Sequence, residues 1–354
     1  MDFTLDDTQT EIIALTAKVL GKDGDPGSVW HALAEAGLLA LALPSDLDGD
    51  ALGVAEVAQV LTEVGRAAAP VPALPALALG VLPVEALGSP GQRAALLPPV
   101  ATGEALLTAA LHEPSAPLAV RPATTATANG GWRLDGVKTA VPYAAESARI
   151  LTPVSMPGGT GVFLVDPRAD GVTLTASRNS SETPEYTVKL DAVVVSEADL
   201  LTESGGGQAV AVLHRFALAG AAALGDGLLA GALALTSRHV GERTQFGRPL
   251  ATFQAVAQQI ADVYIASRTV HLAATSAVWR LARGLDADAD LDVAAYWLAE
   301  EVPAALAICH HLHGGVGVDE TYPLHRYSSA VKDLARAVGG AAHRLGRLGE
   351  RVAG

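Results

Sequence analysis

What most constrains this chain is a change of hydrophobic period that occurs twice along its length. Apolar residues recur at helical spacing up to position 105, in short β-branched runs up to 204, and at helical spacing again to 354. A chain patterned this way segregates its helices from its strands instead of alternating them as βαβ units. The expected fold class is mainly α with a central β-domain, a barrel or sandwich, followed by a four-helix bundle. The expected domains are 1–105 (helical), 106–204 (β) and 205–354 (helical bundle).

Local signals place the elements. Asp6 and Asp7 precede an apolar-periodic run that ends near Gly21. Ser28 is the expected cap of a helix ending at Gly37, and Gly65 the expected stop of a helix from Leu52 to Val64. Four prolines between Pro70 and Pro83 predict an irregular stretch, because proline lacks an amide donor. Expected strands cover 106–111, 124–127, 132–134, 150–154, 161–165, 172–175, 186–190 and 192–195. Asn129-Gly130-Gly131 and Leu134-Asp135-Gly136 read as turns between them. After Ser204-Gly205-Gly206-Gly207, long helices are expected over 208–243, 253–283, 288–311 and 322–351.

Half of the residues are hydrophobic (50%), which raises the question of a membrane segment. The longest apolar stretch, Ala209 to Leu235, is interrupted by His214, Arg215 and Asp226. Charge near the centre of a span is costly. Much of the excess is alanine, the best helix former, so the expectation is a soluble, cytoplasmic, helical protein. The acidic start, MDFTLDDTQTEII, lacks the basic-then-apolar pattern of a signal peptide. Lys plus Arg number 24 against 38 Asp plus Glu, a formal charge of −14. That balance argues against a general nucleic-acid or anionic-membrane binder, so an anionic ligand must be met by a few placed arginines. Cys309 is the single cysteine, so no intrachain disulfide or CxxC motif forms.

Two C-terminal motifs carry chemistry. The first is Arg243-Thr244-Gln245-Phe246-Gly247-Arg248-Pro249-Leu250, with Phe253-Gln254 behind it. A guanidinium can fork onto a pyrophosphate, Gln245 can donate to it, and Phe246 offers an apolar ring face. Taken alone, the string also reads as a helix end with a glycine stop. The second is His313-Gly314-Gly315-Val316-Gly317, followed by Tyr322-Pro323-Leu324. Its glycines let backbone approach a ligand closely. His310, His311 and His313 lie beside this turn without the i, i+4 ligand spacing of a helical metal site, so no metal is expected. Glu300-Glu301 reads as a solvated helix face and Cys309 as a small buried hydrophobe.

These motifs, with His112-Glu113-Pro114 and Leu134-Asp135-Gly136-Val137-Lys138 between the helical regions, resemble the flavin-dependent acyl-CoA dehydrogenase family over nearly the whole chain. The resemblance implies FAD as cofactor and an acyl-CoA thioester as substrate. It implies α,β-desaturation, with the β-hydride passing to flavin and an electron-transfer acceptor downstream. It further implies that Arg243, Gln245, Phe246, Gly314, Gly315 and Gly317 reach a dinucleotide held mainly by a neighbouring subunit, with His311 in place of the family's glutamine.

Other positions depart from the family's pattern. The glutamate that serves as base in the commonest members, counted from Tyr322-Pro323, falls on Val338 in Val338-Gly339-Gly340. Valine cannot accept a proton. The alternative base position, on the first helix of the C-terminal region before an arginine, holds His214 and then Arg215. His214 reads either as a base or as a buried helix histidine. Arg215 reads either as an acyl-CoA contact or as a salt-bridge residue. Where the family contacts its own flavin, this chain has Ser115-Ala116-Pro117-Leu118 and, after Lys138, Ala140 and Pro142, with Thr139 one off the usual register. The residues offered to a neighbour look intact and those for the chain's own flavin do not. This pattern resembles the base-lacking subunit of actinobacterial heterotetrameric (α2β2) members, some of which act on steroid side chains. The alternatives are a self-sufficient enzyme using His214, as a homo-oligomer, and a non-enzymatic relative that binds acyl-CoA or a partner.

Overall fold

Helix α1 (Asp7–Leu20) begins where its acidic signal places it. Asp6 Oδ1 accepts from the Gln9 amide (2.8 Å), and Gln9 Oε1 accepts in return from the Asp6 amide (3.3 Å). Helix α2 (Pro26–Glu35) is capped by Asp25 and not by Ser28, because Pro26 starts the helix one residue after that aspartate. Asp25 Oδ1 takes the amides of Gly27 and Ser28. Helix α3 (Val54–Arg66) runs through Gly65 instead of stopping there. A Cβ on Gly65 would lie 2.2 Å from the Leu224 carbonyl oxygen, so the glycine serves a close helix contact. The proline-rich stretch is helical too, a π-helical segment over Leu74–Val81 and then α4 (Leu82–Leu87). Pro75 sits in a first turn, where no amide needs an intrahelical partner, and Pro83 stands where the π-helical segment passes directly into α4. Helix α5 (Pro90–Ala101) follows, capped by Ser89.

This computed structural model describes residues 2–22, 24–128, 130–201 and 208–353. The Ser204–Gly207 stretch and Asn129 lie outside the described residues. Strands β1 (Leu106–Ala109), β2 (His112–Glu113), β3 (Ala116–Pro117), β4 (Thr125–Ala128), β5 (Trp132–Pro142), β6 (Ser147–Met156), β7 (Gly159–Val165), β8 (Val172–Ser177) and β9 (Glu185–Val195) form one sheet. Its pairings are antiparallel except where β6 meets β1 and β4. Leu134-Asp135-Gly136 is no turn but the middle of β5. There Asp191 and Ala192 of β9 together oppose Asp135, whose carboxylate accepts from the Ala192 amide (2.8 Å). The two runs read as separate strands at 186–190 and 192–195 are therefore one bulged strand. Leu134, Val141, Ile150, Val154, Phe163, Val188 and Val193 fill the core on this sheet.

The C-terminal region holds α6 (Ala209–Glu242), a two-residue pair of strands β10 (Thr244–Gln245) and β11 (Arg248–Pro249), α7 (Gln254–Ala282), α8 (Asp288–His313), α9 (Leu324–Ala337) and α10 (Ala341–Ala353). The single helix expected over 322–351 is thus two helices. Gly339 and Gly340, at φ +92° and +80°, part them in a left-handed backbone that favours glycine. Among the described residues, only α6 is long and apolar enough to cross a membrane, and 72% of its apolar window is buried inside the protein, as in a core helix. By contacts the chain forms two units, one of Met1–Gly21, Ala58–Ala69 and Ala221–Gly354 and one of Lys22–Val57 and Pro70–Gly220.

Candidate functional site

In the helical unit, α6 ends at Glu242 and the chain turns out into the β10–β11 hairpin. Arg243 through Pro249 are exposed without exception. Phe246 (φ +51°) and Gly247 (φ +76°) make its two-residue turn, the geometry tight hairpins favour. The Phe246 ring is 91% exposed. Beneath the turn, Phe253 meets Phe246 edge to face at 6.1 Å and carries the Arg248 guanidinium 4.1 Å from its ring centroid. The Leu250 amide donates to the Arg243 carbonyl (2.9 Å) and closes the base. Gln245 donates its side-chain amide only to the neighbouring Thr244 carbonyl (2.9 Å), an exchangeable bond at the surface. The structure therefore presents Arg243, Gln245 and Phe246 together on one projecting element.

The second motif lies at the end of α8. Gly314 adopts φ +57°, and nothing would touch a Cβ on Gly314 or Gly315, so this backbone is open to a ligand. Gly317 is different, since a Cβ there would crowd His310 and His313 at 3.0 Å. His311 is exposed, whereas His313 is buried. His310 Nδ1 bonds the Gly317 carbonyl (2.8 Å). The His313 ring stacks on His239 of α6, centroids 4.3 Å apart, and its Nε2 meets the Tyr322 hydroxyl at 3.0 Å. Sequence reasoning missed His239. Its signal was its position in the last turn of α6, four residues before Arg243.

Val338 closes α9 and is buried. Its carbonyl accepts from Arg344 Nε, and Arg344 Nη1 pairs with Asp292 Oδ1 (2.9 Å) on α8. Arg351 Nε reaches the other carboxylate oxygen (2.8 Å). The turn expected to bear the base is thus an aliphatic, internally bonded helix end.

In the other unit the two middle motifs meet. Glu113 and Lys138 pair at 2.8 Å with both side chains buried. The carboxylate also takes the Thr124 amide (2.8 Å), the Thr124 hydroxyl (2.6 Å) and the Ala123 amide. Burial pushes the Glu113 carboxyl up, but the donors Lys138, Thr124 and Ala123 outweigh it and hold the group below its ordinary range. Burial pulls the Lys138 ammonium down, opposed by Glu113. Both residues were singled out from the sequence, yet their pairing was not. Just past Lys138, Thr139 and Ala140 together oppose Thr187 in a bulge. Ser115, Leu118, Ala140 and Tyr143 all take positive φ (+59°, +45°, +54° and +51°) around this loop pair, and Leu118 is buried. His214 and Arg215 sit half-buried near the start of α6.

These surfaces differ in fitness for an anionic dinucleotide. The hairpin and the Gly-Gly turn offer a guanidinium, an amide, an exposed ring and open backbone, which suit a pyrophosphate and a planar group. The β2–β3 and β5 loops offer Pro114, Pro117 and Pro142, which carry no N–H, and a buried Leu118, which suits neither.

Residues 7–104 match "Acyl-CoA dehydrogenase, N-terminal domain" and residues 208–352 match "Acyl-CoA dehydrogenase, C-terminal domain". Acyl-CoA dehydrogenase FadE28 of Mycobacterium tuberculosis is 45% identical over 351 residues, 99% of each chain. A chain of the ChsE4-ChsE5 complex from Mycobacterium tuberculosis superposes with TM-score 0.92 at 31% identity, over 100% of this chain and 99% of that one. A chain of the Tcur3481-Tcur3483 steroid ACAD G363A variant gives 0.91 at 35% identity, over 99% of each. PigA, solved with FAD and proline, shares the fold with TM-score 0.89 at 19% identity, over 100% of this chain and 99% of that one. With matches at both ends and this identity along its whole length, the chain belongs to the acyl-CoA dehydrogenase family, oxidoreductases that act on CH–CH bonds.

Proposed function

We propose that this chain is the base-lacking subunit of a cytoplasmic, hetero-oligomeric, FAD-dependent acyl-CoA dehydrogenase that completes the flavin site of a homologous, glutamate-bearing partner. One contrast carries the reading. Arg243, Gln245 and Phe246 project from the chain, while the base position holds a buried valine. When bound, FAD accepts the hydride lost from Cβ of the thioester. This chain's part is to hold it. Arg243 forks onto the pyrophosphate, Gln245 exchanges its Thr244 bond for a phosphate or ribose oxygen, Phe246 covers an apolar face, and Gly314 and Gly315 admit the adenosine end, with His311 alongside. Arg215 contacts the acyl-CoA. The substrate class is the steroid side-chain acyl-CoA, supported by likeness to a steroid ACAD pair. Within this reading the chain divides near 105 and 204 into helical, β and helical domains.

The test is purification alone and after co-expression with a glutamate-bearing homologue. Alone, the chain should carry little flavin absorbance and fail to desaturate acyl-CoA. The heteromer should carry flavin and desaturate acyl-CoA. Arg243→Ala in the heteromer should weaken FAD retention tenfold or more, since a hydrogen bond to a charged group contributes about 1.5–3 kcal/mol. A homomer that is yellow, stoichiometric in FAD and active overturns the proposal. In the chain alone, Phe246→Ala should cost no more than about 0.5–1.5 kcal/mol of unfolding stability, the worth of its edge-to-face contact with Phe253, while weakening partner association measured by calorimetry.

A further inference from the structure

We propose that His239, His313 and Tyr322 form a proton-sensitive brace that ties the root of the Arg243–Gly247 hairpin to the Gly314–Gly317 turn and loosens both on acidification. The effect on assembly rests on the partner-completing reading above. The brace itself does not.

The bonds fix the tautomer of the neutral ring. The Cys309 carbonyl can only accept, so His313 Nδ1, 2.8 Å away, carries the hydrogen. Nε2 of the neutral ring is then an acceptor, and the Tyr322 hydroxyl donates to it at 3.0 Å. Burial raises the Tyr322 phenol, so that donor keeps its proton. Every polar atom of the His313 ring is satisfied when the ring is neutral. A second proton reverses the Nε2 bond, so that the ring donates to the phenol oxygen and the hydroxyl hydrogen must turn elsewhere, and it sets a buried cation against the His239 ring, 4.3 Å away and nearly parallel at 21°. Each partner roots one of the neighbour-facing segments. His239 accepts the Arg243 amide at its carbonyl (2.8 Å), and His313 directly precedes Gly314.

The charged surroundings reinforce this. His239 faces Arg243 and Glu242, Tyr322 faces Arg238 and Glu242, and His313 faces His310 and His239. Burial, then Arg243, hold His239 below its ordinary value, with Glu242 opposing. Burial, then His239 and His310, hold His313 down against the Cys309 bond. In the unfolded chain both rings titrate near 6.5. Because the folded values are lower, the unfolded chain takes up protons first. The brace is fully effective above about pH 6.5 and weakens as the pH falls below it.

Hydrogen exchange of the purified chain, with no partner and no flavin, tests the brace. After correction for intrinsic rates, protection across residues 243–250 and 314–318 should fall at least tenfold between pH 7.5 and 5.5. His313→Gln supplies one acceptor and one donor without titrating, and His239→Phe keeps a flat ring; both should flatten that dependence. Tyr322→Phe frees Nε2 for a proton and should move the transition to higher pH. Unchanged pH dependence in His313→Gln and His239→Phe overturns the brace. Partner affinity measured over the same pH range is the second arm. Affinity that falls with protection in the wild type and stays level in the two histidine variants supports the coupling to assembly. Affinity whose pH dependence is the same in wild type and variants overturns it. Absence of partner binding at every pH overturns the partner-completing reading and leaves the exchange result to decide the brace.

Discussion

Asp292→Asn is expected to destabilise the helical unit by about 3–5 kcal/mol, the cost of breaking a buried ion pair by removing one partner. The reason lies in what remains. Arg344 is almost wholly buried, and its Nη2 has no hydrogen-bond partner even in the native chain. Asp292 is its anionic neighbour at 2.9 Å, and the same carboxylate takes Arg351 at 2.8 Å. Without the negative charge, a guanidinium is left buried among α8, α9 and α10 with neutral acceptors, the new amide oxygen and the Val338 carbonyl, and no counter-ion at 292. Urea unfolding should show the lowered midpoint, and hydrogen exchange should show α10 losing protection before α8. A loss below about 1 kcal/mol, the range of exposed pairs, would mean that Arg344 is solvated after all.

Glu113→Gln should cost the β-domain a similar amount, about 3–5 kcal/mol, and Lys138→Met distinctly less. The two changes are not mirror images. Removing the carboxylate charge leaves a buried ammonium that has lost its counter-ion. Removing the ammonium leaves a carboxylate still held by the Thr124 amide, the Thr124 hydroxyl and the Ala123 amide. The acid limb follows from the Glu113 shift. Its folded value lies below the ordinary 4.5, so its contribution is complete above that pH and is lost as the pH falls through the folded value. Urea midpoints measured from pH 7 down to 3 should converge for wild type and Glu113→Gln at the acid end. Parallel curves would remove Glu113 from the acid limb.

Much of the architecture was legible because periodicity survives tertiary context. The switch from helix to strand near Leu106 and the long helices beginning near Ala209 and Asp288 stand where the pattern puts them. The errors share a cause, since glycine and proline were read as punctuation. Gly65 lies within a helix because another backbone passes close to it, Pro75 sits in a first turn, and Pro83 is carried inside a continuous helical run. Gly339 and Gly340 did punctuate, and were passed over. At the candidate site, motif residues close in sequence were found, whereas partners brought together by folding were not. Glu113 with Lys138 and His239 with His313 are separated by 25 and by 74 positions, so no local spacing joins them.

The hairpin that carries Phe246 has one more consequence. Its backbone is already set, with the turn at φ +51° and +76° and the base closed by the Leu250 amide. A loop that became ordered only on contact would give up about 1–2 kcal/mol of backbone entropy for each residue. A preset hairpin surrenders chiefly side-chain freedom, about 0.5–1.5 kcal/mol for each immobilised side chain. Under the proposed partner-completing role, recognition through this tip would work as a rigid key, its speed governed by encounter and by the charges of Arg243 and Arg248, and it should slow as salt screens them.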